Sequence, residues 1–462
     1  YPANSKPALL HKVEWHIFFY FTTRFFRMLR ISTLFSFYDM MCLSMQLVKT
    51  YGNIIKKYAP AHPVAARRMI ETGLYLENFR VRNLSDQRIP KAYVQLNSFA
   101  VKSILSGILH PESTAFTNLF APVEILQCFD LNCLSAEAVS SFMSGFMIED
   151  LFLSEAEAKG IAASLCSYHK CFLGISESGI LPPAKIAVTT SIACDANFNT
   201  FRLISRRKNI PAVFLDIPAV ANPATRRYVA DQLRDLTKTL ASVTGKAFDI
   251  DRLREILQRE NRSKACYREF FREKASKKYP TTLTLQMYGL FVTHLSIGSP
   301  GALQFFESLL AEIKEAPVFQ GKRIYWVHLL PFYQESLKEV FNLSDHYQLQ
   351  GFEMNIDYME ELETKDPFDA LAGKLLGNLY NQPFEYKEDL VIRTARELRA
   401  DALIHFCHWG CKQSIGGVAR MREAAKAAGL PMLVLDGDGI DRSSSHDGQI
   451  KTRLQAFLEM IP

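Results

Sequence analysis

The chain has no CxxC pair, no apolar run of membrane-spanning length, no stripe of like charge, and no tandem repeat or low-complexity tract. Each absence removes a class of function. Without a CxxC pair, a zinc site would have to draw its ligands from loops far apart in sequence. The segment from Trp15 to Val48 is rich in Phe, Leu and Met, but Arg24, Arg27, Arg30 and Asp39 interrupt it. It therefore predicts amphipathic helices, buried or facing a partner, and no membrane span. No short apolar core followed by a small-residue cleavage site marks a signal peptide, so a cytoplasmic protein is expected. The chain opens on Tyr1 rather than Met, which leaves room for residues upstream.

Charge is also modest. The formal net charge is +6 over 462 residues, and the lysines and arginines are dispersed. No nucleic-acid partner is expected, whereas a weak attraction for anionic small molecules such as a CoA phosphate fits. With 48% hydrophobic and 22% charged residues, the composition is that of a globular protein. The length suits two or three domains.

Four regions emerge along the chain. Residues 1–115 predict a helical N-terminal region, with the polar run Arg80 to Lys91 read as a turn. From 116 to 221, short apolar runs alternate with helical periods. Here Lys185 to Ala193 (KIAVTTSIA) and Pro211 to Ile217 (PAVFLDI) read as strands of one β-α-β unit. Residues 222–316 lose their strands and predict a helical connection, clearest at Asp249 to Tyr279. Residues 317–462 return to the α/β pattern, with strands in GKRIYWVHLL, DALIHF and PMLVL and a helix from Gly416 to Ala428 stopped by Gly429 and Pro431.

What the chain does have is cysteine. Nine cysteines in a cytoplasmic protein of this size point to free thiols or metal ligands rather than disulfides. Cys194 follows the strand KIAVTTSIA and Cys407 follows DALIHF, so both belong at carboxyl ends of parallel strands, where open α/β sheets bind ligands. Cys166 and Cys171 lie in CSYHKCFLG, and Cys411 lies in CHWGCKQSIGG. Five thiols thus fall in three loops able to converge. Cys42, Cys128, Cys133 and Cys266 read first as small buried hydrophobes.

Zinc held by Cys407, His408 and Cys411 is one alternative, and a cysteine nucleophile with His405, His408 or His169 as base is another. An iron–sulfur cluster tolerates distant ligands better than either. Asp436, Asp438, Asp441 and Arg442 follow a strand and could face the cleft or simply form turns. Gln449 and Arg453 fit a solvated helix face. Gly416 and Gly417 could offer N–H groups to an anion or serve helix packing.

The blocks CSYHKCFLG, SIACD and HFCHWGCKQSIGG, followed by DGDGIDR and GQIKTRLQAFLEM, resemble in order and spacing the 2-hydroxyacyl-CoA dehydratase and benzoyl-CoA reductase family. Upstream, FAPVEILQCFDLNC is similar to the family's Pro-x-Glu-Ile segment. The resemblance runs from about Phe116 to the C-terminus.

It implies a [4Fe-4S] cluster held by three cysteines with one iron left open, and electrons supplied by a separate ATP-hydrolysing activator, which carries the ATP. Cys166 and Cys194 carry over as ligands, and the third is Cys407 or Cys411. The implied chemistry is radical elimination of water from an acyl-CoA by way of a ketyl. The implied assembly is a homodimer or a heterodimer with a related chain.

Extra thiols depart from the family pattern. Cys128 or Cys133 together with Cys166, Cys171, Cys194, Cys407 and Cys411 could make the six ligands of a double-cubane [8Fe-9S] cluster. That branch of the superfamily performs ATP-driven reduction of small substrates. A non-catalytic electron relay or a small-molecule binding protein is a further alternative. The fold expected throughout is α/β: two doubly wound parallel-sheet domains facing each other across a cluster-binding cleft.

Overall fold

The computed structural model describes residues 37–461, with side chains described from Met45 onward. Most of the Trp15 to Val48 expectation, and the side chain of Cys42, lie outside the described residues.

The core is two parallel sheets with one layout. Strands β1 (Thr114–Thr117), β2 (Asn132–Ser135), β3 (Ile186–Thr190) and β4 (Ala212–Leu215) pair in the order β2-β1-β3-β4. Strands β5 (Lys322–Val327), β6 (Tyr347–Phe352), β7 (Ala402–His408) and β8 (Met432–Gly437) repeat it as β6-β5-β7-β8. Every residue of β1, β3 and β7 is buried, as parallel strands covered by helices on both faces require. In each sheet the direction of winding reverses between two central strands, β1 and β3 or β5 and β7. The loops that leave those strands open a crevice at the carboxyl edge.

Helices Phe37–Tyr58, Pro63–Leu84 and Lys91–Leu109 precede the first sheet. The turn expected from Arg80 is shorter than predicted, because the helix runs on to Leu84. Val81 is buried in it and Arg80 pairs with Glu77 one turn back, so the polar residues there form the outer face of an amphipathic helix. β1 begins at Thr114, two residues ahead of the start expected at 116.

Between the sheets run four helices, Pro223–Thr244, Ile250–Lys274, Leu283–Leu295 and Pro300–Lys314. Their ends follow from local chemistry. Asn222 and Thr225 form a reciprocal cap with Pro223 in the first turn, Gly245 ends the same helix at φ +74°, and Asp249 caps the next. No helix among the described residues is long and apolar enough to cross a membrane.

Buried charge ties the parts together. Lys374, on the helix Pro367–Leu376, reaches Glu124 beside the first sheet and lies 2.8 Å from Glu260 on the connection; Glu260 also pairs with Lys264 at 2.8 Å. Both carboxylates are fully buried. Burial pushes Glu260 up, but Lys264 and Lys374 overcome it and hold its carboxyl below the ordinary range. Glu124 goes the other way, raised to about 7 by burial, with Lys374 opposing and the Glu260 charge reinforcing the rise. Of the two acids, Glu124 is thus the one that holds a proton more readily.

Candidate metal centre

Three cysteines meet where the two carboxyl edges face one another. Cys166 is the N-cap of the helix Ser167–Glu177; Cys194 stands just ahead of the helix Ala196–Lys208; Cys411 precedes the short turn Lys412–Ile415. Their thiolate charges act on one another. Cys166 is pushed well above the ordinary thiol range by burial and then by Cys411 and Cys194, and Cys194 is raised to about 11 by burial and by Cys411. Backbone N–H groups of Asn197 and Ala196 oppose the rise at Cys194, as a helix N-terminus should. Thiols that act on one another in this way are raised less once a cation lies among them.

Three residues around the centre have positive φ. Ala193 sits at φ +76°, Gly410 at φ +77° and His328, the residue after β5, at φ +73°. The amide of His328 donates to the buried Glu353 at 2.5 Å, which in turn pairs with Lys387 at 2.9 Å and accepts from the Tyr380 hydroxyl at 3.0 Å. Strain at a non-glycine residue held this firmly marks a constrained position.

Two imidazoles touch the thiols. His408 Nε2 lies 3.2 Å from Cys166 Sγ, and His328 Nε2 lies 3.4 Å from Cys411 Sγ. These are not activated thiol–imidazole pairs. Burial raises Cys166 and lowers His408, so both stay neutral, the reverse of what a nucleophilic cysteine needs. His169 is likewise lowered to about 4 by burial and by His408. Burial lowers His405 as well, so none of the three imidazoles is favoured in the charged form that a thiolate–imidazolium pair needs.

Cys407 does not join the three. It lies within β7 rather than after it, and side chains alternate along a strand. His408 faces Cys166, while Cys407 Sγ and His405 Nε2 both turn towards the carbonyl of Ser414 on the other side, at 3.8 Å and 2.7 Å. A zinc ion between Cys407, His408 and Cys411 is excluded by the same alternation. Among the described residues no three His, Cys, Asp or Glu side chains close around a single point as one metal ion demands. A cluster makes a different demand, because each thiolate binds its own iron. The three thiols from three loops fit that demand by donor chemistry and by number.

The remaining thiols have other surroundings. Cys171 is fully buried in the helix Ser167–Glu177 and hydrogen-bonded with Ser140. Cys128 donates to Glu124 O one turn back at 3.4 Å, and Cys133 is enclosed in β2. Cys266 is half-buried on the connection.

The acidic loop after β8 is structural. Asp438 accepts from Ser167 Oγ at 2.7 Å and from the amides of Ile440 and Asp441, Asp441 caps the turn that follows, and Arg442 crosses to Glu149 at 2.7 Å. Asp436 pairs with Arg453 at 3.3 Å, and Gln449 lies on the exposed side of the last helix. A Cβ on Gly417 would meet the Phe384 ring at 2.0 Å, so that glycine serves packing. Sequence reasoning missed His328, whose only signal was its place one residue beyond an apolar strand.

A cavity of about 50 Å³ is lined in part by Phe120, Glu124, Glu260, His294, Lys374 and Asn378. Phe120 packs on Tyr380 at 5.4 Å between ring centroids, and Tyr380 on His328 at 6.1 Å.

Two α/β units, each built on a four-stranded parallel sheet of one strand order, define the class of fold. The family described as 2-hydroxyglutaryl-CoA dehydratase, D-component, matches residues 118–461, and the chain belongs to it. It is 24% identical over 382 residues to a benzoyl-CoA reductase subunit of Thauera aromatica, covering 73% of this chain and 86% of that one. It is 21% identical over 368 residues to the (R)-2-hydroxyisocaproyl-CoA dehydratase alpha subunit of Clostridioides difficile, covering 75% and 89%. With the (R)-2-hydroxyglutaryl-CoA dehydratase alpha subunit of Acidaminococcus fermentans it shares 22% over 308 residues, covering 61% of each.

Proposed function

We propose that this chain is the iron–sulfur subunit of a 2-hydroxyacyl-CoA dehydratase-type enzyme, with a single [4Fe-4S] cluster held by Cys166, Cys194 and Cys411. One observation carries the reading: the charges of Cys166, Cys194 and Cys411 act on one another, while Cys407, which also feels Cys411, turns its Sγ to the Ser414 carbonyl. When bound, the cluster supplies low-potential one-electron chemistry at an iron with no protein ligand. The chain's residues supply the rest. Backbone N–H groups at the helices after Cys166 and Cys194 favour the thiolate form, and Glu353 and Lys387 fix the His328 loop. The Tyr380 and Phe120 rings pack in sequence between His328 and the cavity that Glu124, Glu260 and Lys374 line.

The electron source in this reading is an ATP-hydrolysing activator, and the working unit is a dimer with itself or a related chain, since each of the relatives named above is one subunit of its enzyme. The double-cubane alternative would need Cys171 with Cys128 or Cys133, whose surroundings lie in helix and strand cores. The test is anaerobic reconstitution followed by iron and sulfide analysis and product analysis with 2-hydroxyacyl-CoA thioesters. About four irons and four sulfides per chain with enoyl-CoA product support the proposal. A chain that binds neither element is a small-molecule binding protein, and one that binds both but turns over no thioester is an electron relay.

A further inference from the structure

The two imidazoles at the centre have a use that follows from where their protons lie. The backbone N–H of Gly439 donates to His408 Nδ1 at 3.0 Å. A neutral imidazole carries one proton, so with Nδ1 accepting, the proton sits on Nε2. That nitrogen is the one 3.2 Å from Cys166 Sγ. The ring has little freedom to turn away, because His408 is fully buried and the Tyr168 ring meets it edge-on at 5.5 Å.

His328 reaches the same arrangement from the other sheet. Its Nε2 is 3.4 Å from Cys411 Sγ, and its Nδ1 is buried with no hydrogen-bond partner among the described residues. A metal-bound thiolate has only lone pairs to offer, so the nitrogen facing it must be the donor. The positive φ of His328 and the grip of Glu353 on its amide are what aim the ring there. At Cys194 the backbone amides of Ala196 and Asn197 take the place of an imidazole.

We infer that His408 and His328 are positioning residues that donate N–H···S hydrogen bonds to Cys166 and Cys411 and thereby raise the reduction potential of the cluster. The inference rests on the cluster reading above. Such bonds draw electron density from the sulfurs and stabilise the more negative, reduced state, and a water-poor interior strengthens them. The chain would thus ease entry of the first electron without adding a charge to the site.

The test is a redox titration of the reconstituted full chain, followed by electron paramagnetic resonance. His408→Phe and His328→Phe should each bind wild-type iron yet show a lower potential. A tenfold rise in the oxidised-to-reduced ratio at a fixed ambient potential, about 59 mV for one electron, is the expected size. His408→Gln, which keeps an N–H donor, should recover much of the shift. A merely structural role would move iron content or stability and leave the potential alone.

Should the Phe variants fail to hold iron, wild-type protein grown with ¹⁵N-histidine gives a second readout. Electron–nuclear double resonance should detect coupling to histidine nitrogen, and the exchangeable proton beside it should vanish in D₂O. Unchanged potentials in iron-replete variants, or no histidine coupling in wild type, would overturn the inference while leaving the cluster in place. Absence of iron from the wild type would remove both.

Discussion

Gly410 and Cys166 touch through backbone alone: a Cβ on Gly410 would stand 3.0 Å from the Cys166 amide nitrogen and 3.0 Å from the carbonyl of Ser164. The loops that carry Cys411 and Cys166 therefore meet where one of them has no side chain. Gly410 also needs φ +77°, which costs an L-residue roughly 1–2 kcal/mol. Gly410→Ala should lower stability by about that amount and reduce bound iron, read from denaturant midpoints and iron analysis. A variant with full iron and an unshifted midpoint would refute the contact's role.

The ligand assignment makes a separable forecast. Cys166→Ser, Cys194→Ser and Cys411→Ser should each lose most of the iron while keeping the fold by circular dichroism. Cys407→Ser and Cys266→Ser should retain it, and Cys171→Ala should keep about four irons per chain. Loss of iron from Cys407→Ser alongside retention in Cys411→Ser would reverse the choice of third ligand. Eight irons in the wild type would restore the double cubane.

Lys374 is held between two buried carboxyls, one beside the first sheet and one on the helical connection. Lys374→Met leaves Glu260 to Lys264 alone and should cost up to about 3–5 kcal/mol, the penalty for breaking a buried pair from one side. Urea denaturation of wild type and variant measures it, and a loss below about 1 kcal/mol would show that water reaches the cluster of charges.

Glu124 gives a pH dependence with a definite sign. Its ordinary value is 4.5, and in the folded protein it is raised to about 7. Between those values the native state holds a proton that the unfolded chain has released. Its stabilising contribution is complete below pH 4.5 and is lost as pH rises towards 7. Glu124→Gln is neutral at every pH, so its stability relative to wild type should climb across that window. A difference that is flat with pH would show that Glu124 ionises normally.

Much of this arrangement could be read from the sequence. Continuous β-branched and apolar runs revealed β3, β5, β7 and β8, because strands buried on both faces leave no alternation to confuse the eye. β6 escaped notice because its sequence, YQLQGF, carries two glutamines inward. Gln348 and Gln350 are buried yet satisfied by the backbone of Lys274, Lys277, Tyr279 and Leu398, a solution that no local pattern announces. β1 and β2, at four residues each, are too short to show a period. At the centre, the loops after β3 and β7 were foreseen from strand polarity, whereas the Cys166 loop joins two helices and was read only from its two cysteines. The choice between Cys407 and Cys411 was not foreseen, since β7 runs on to His408 and so holds Cys407 within its alternation, on the face opposite His408.

The repeated strand order has a consequence for how the two halves hold together. They meet edge to edge as two subunits of a dimer would, but on one chain, so their encounter is intramolecular and governed by an effective concentration set by the connection rather than by protein concentration. Such a seam stays assembled at any dilution without a large apolar interface. It is therefore free to be lined with thiols, imidazoles and polar loops, and to part for a substrate without the halves being lost to one another.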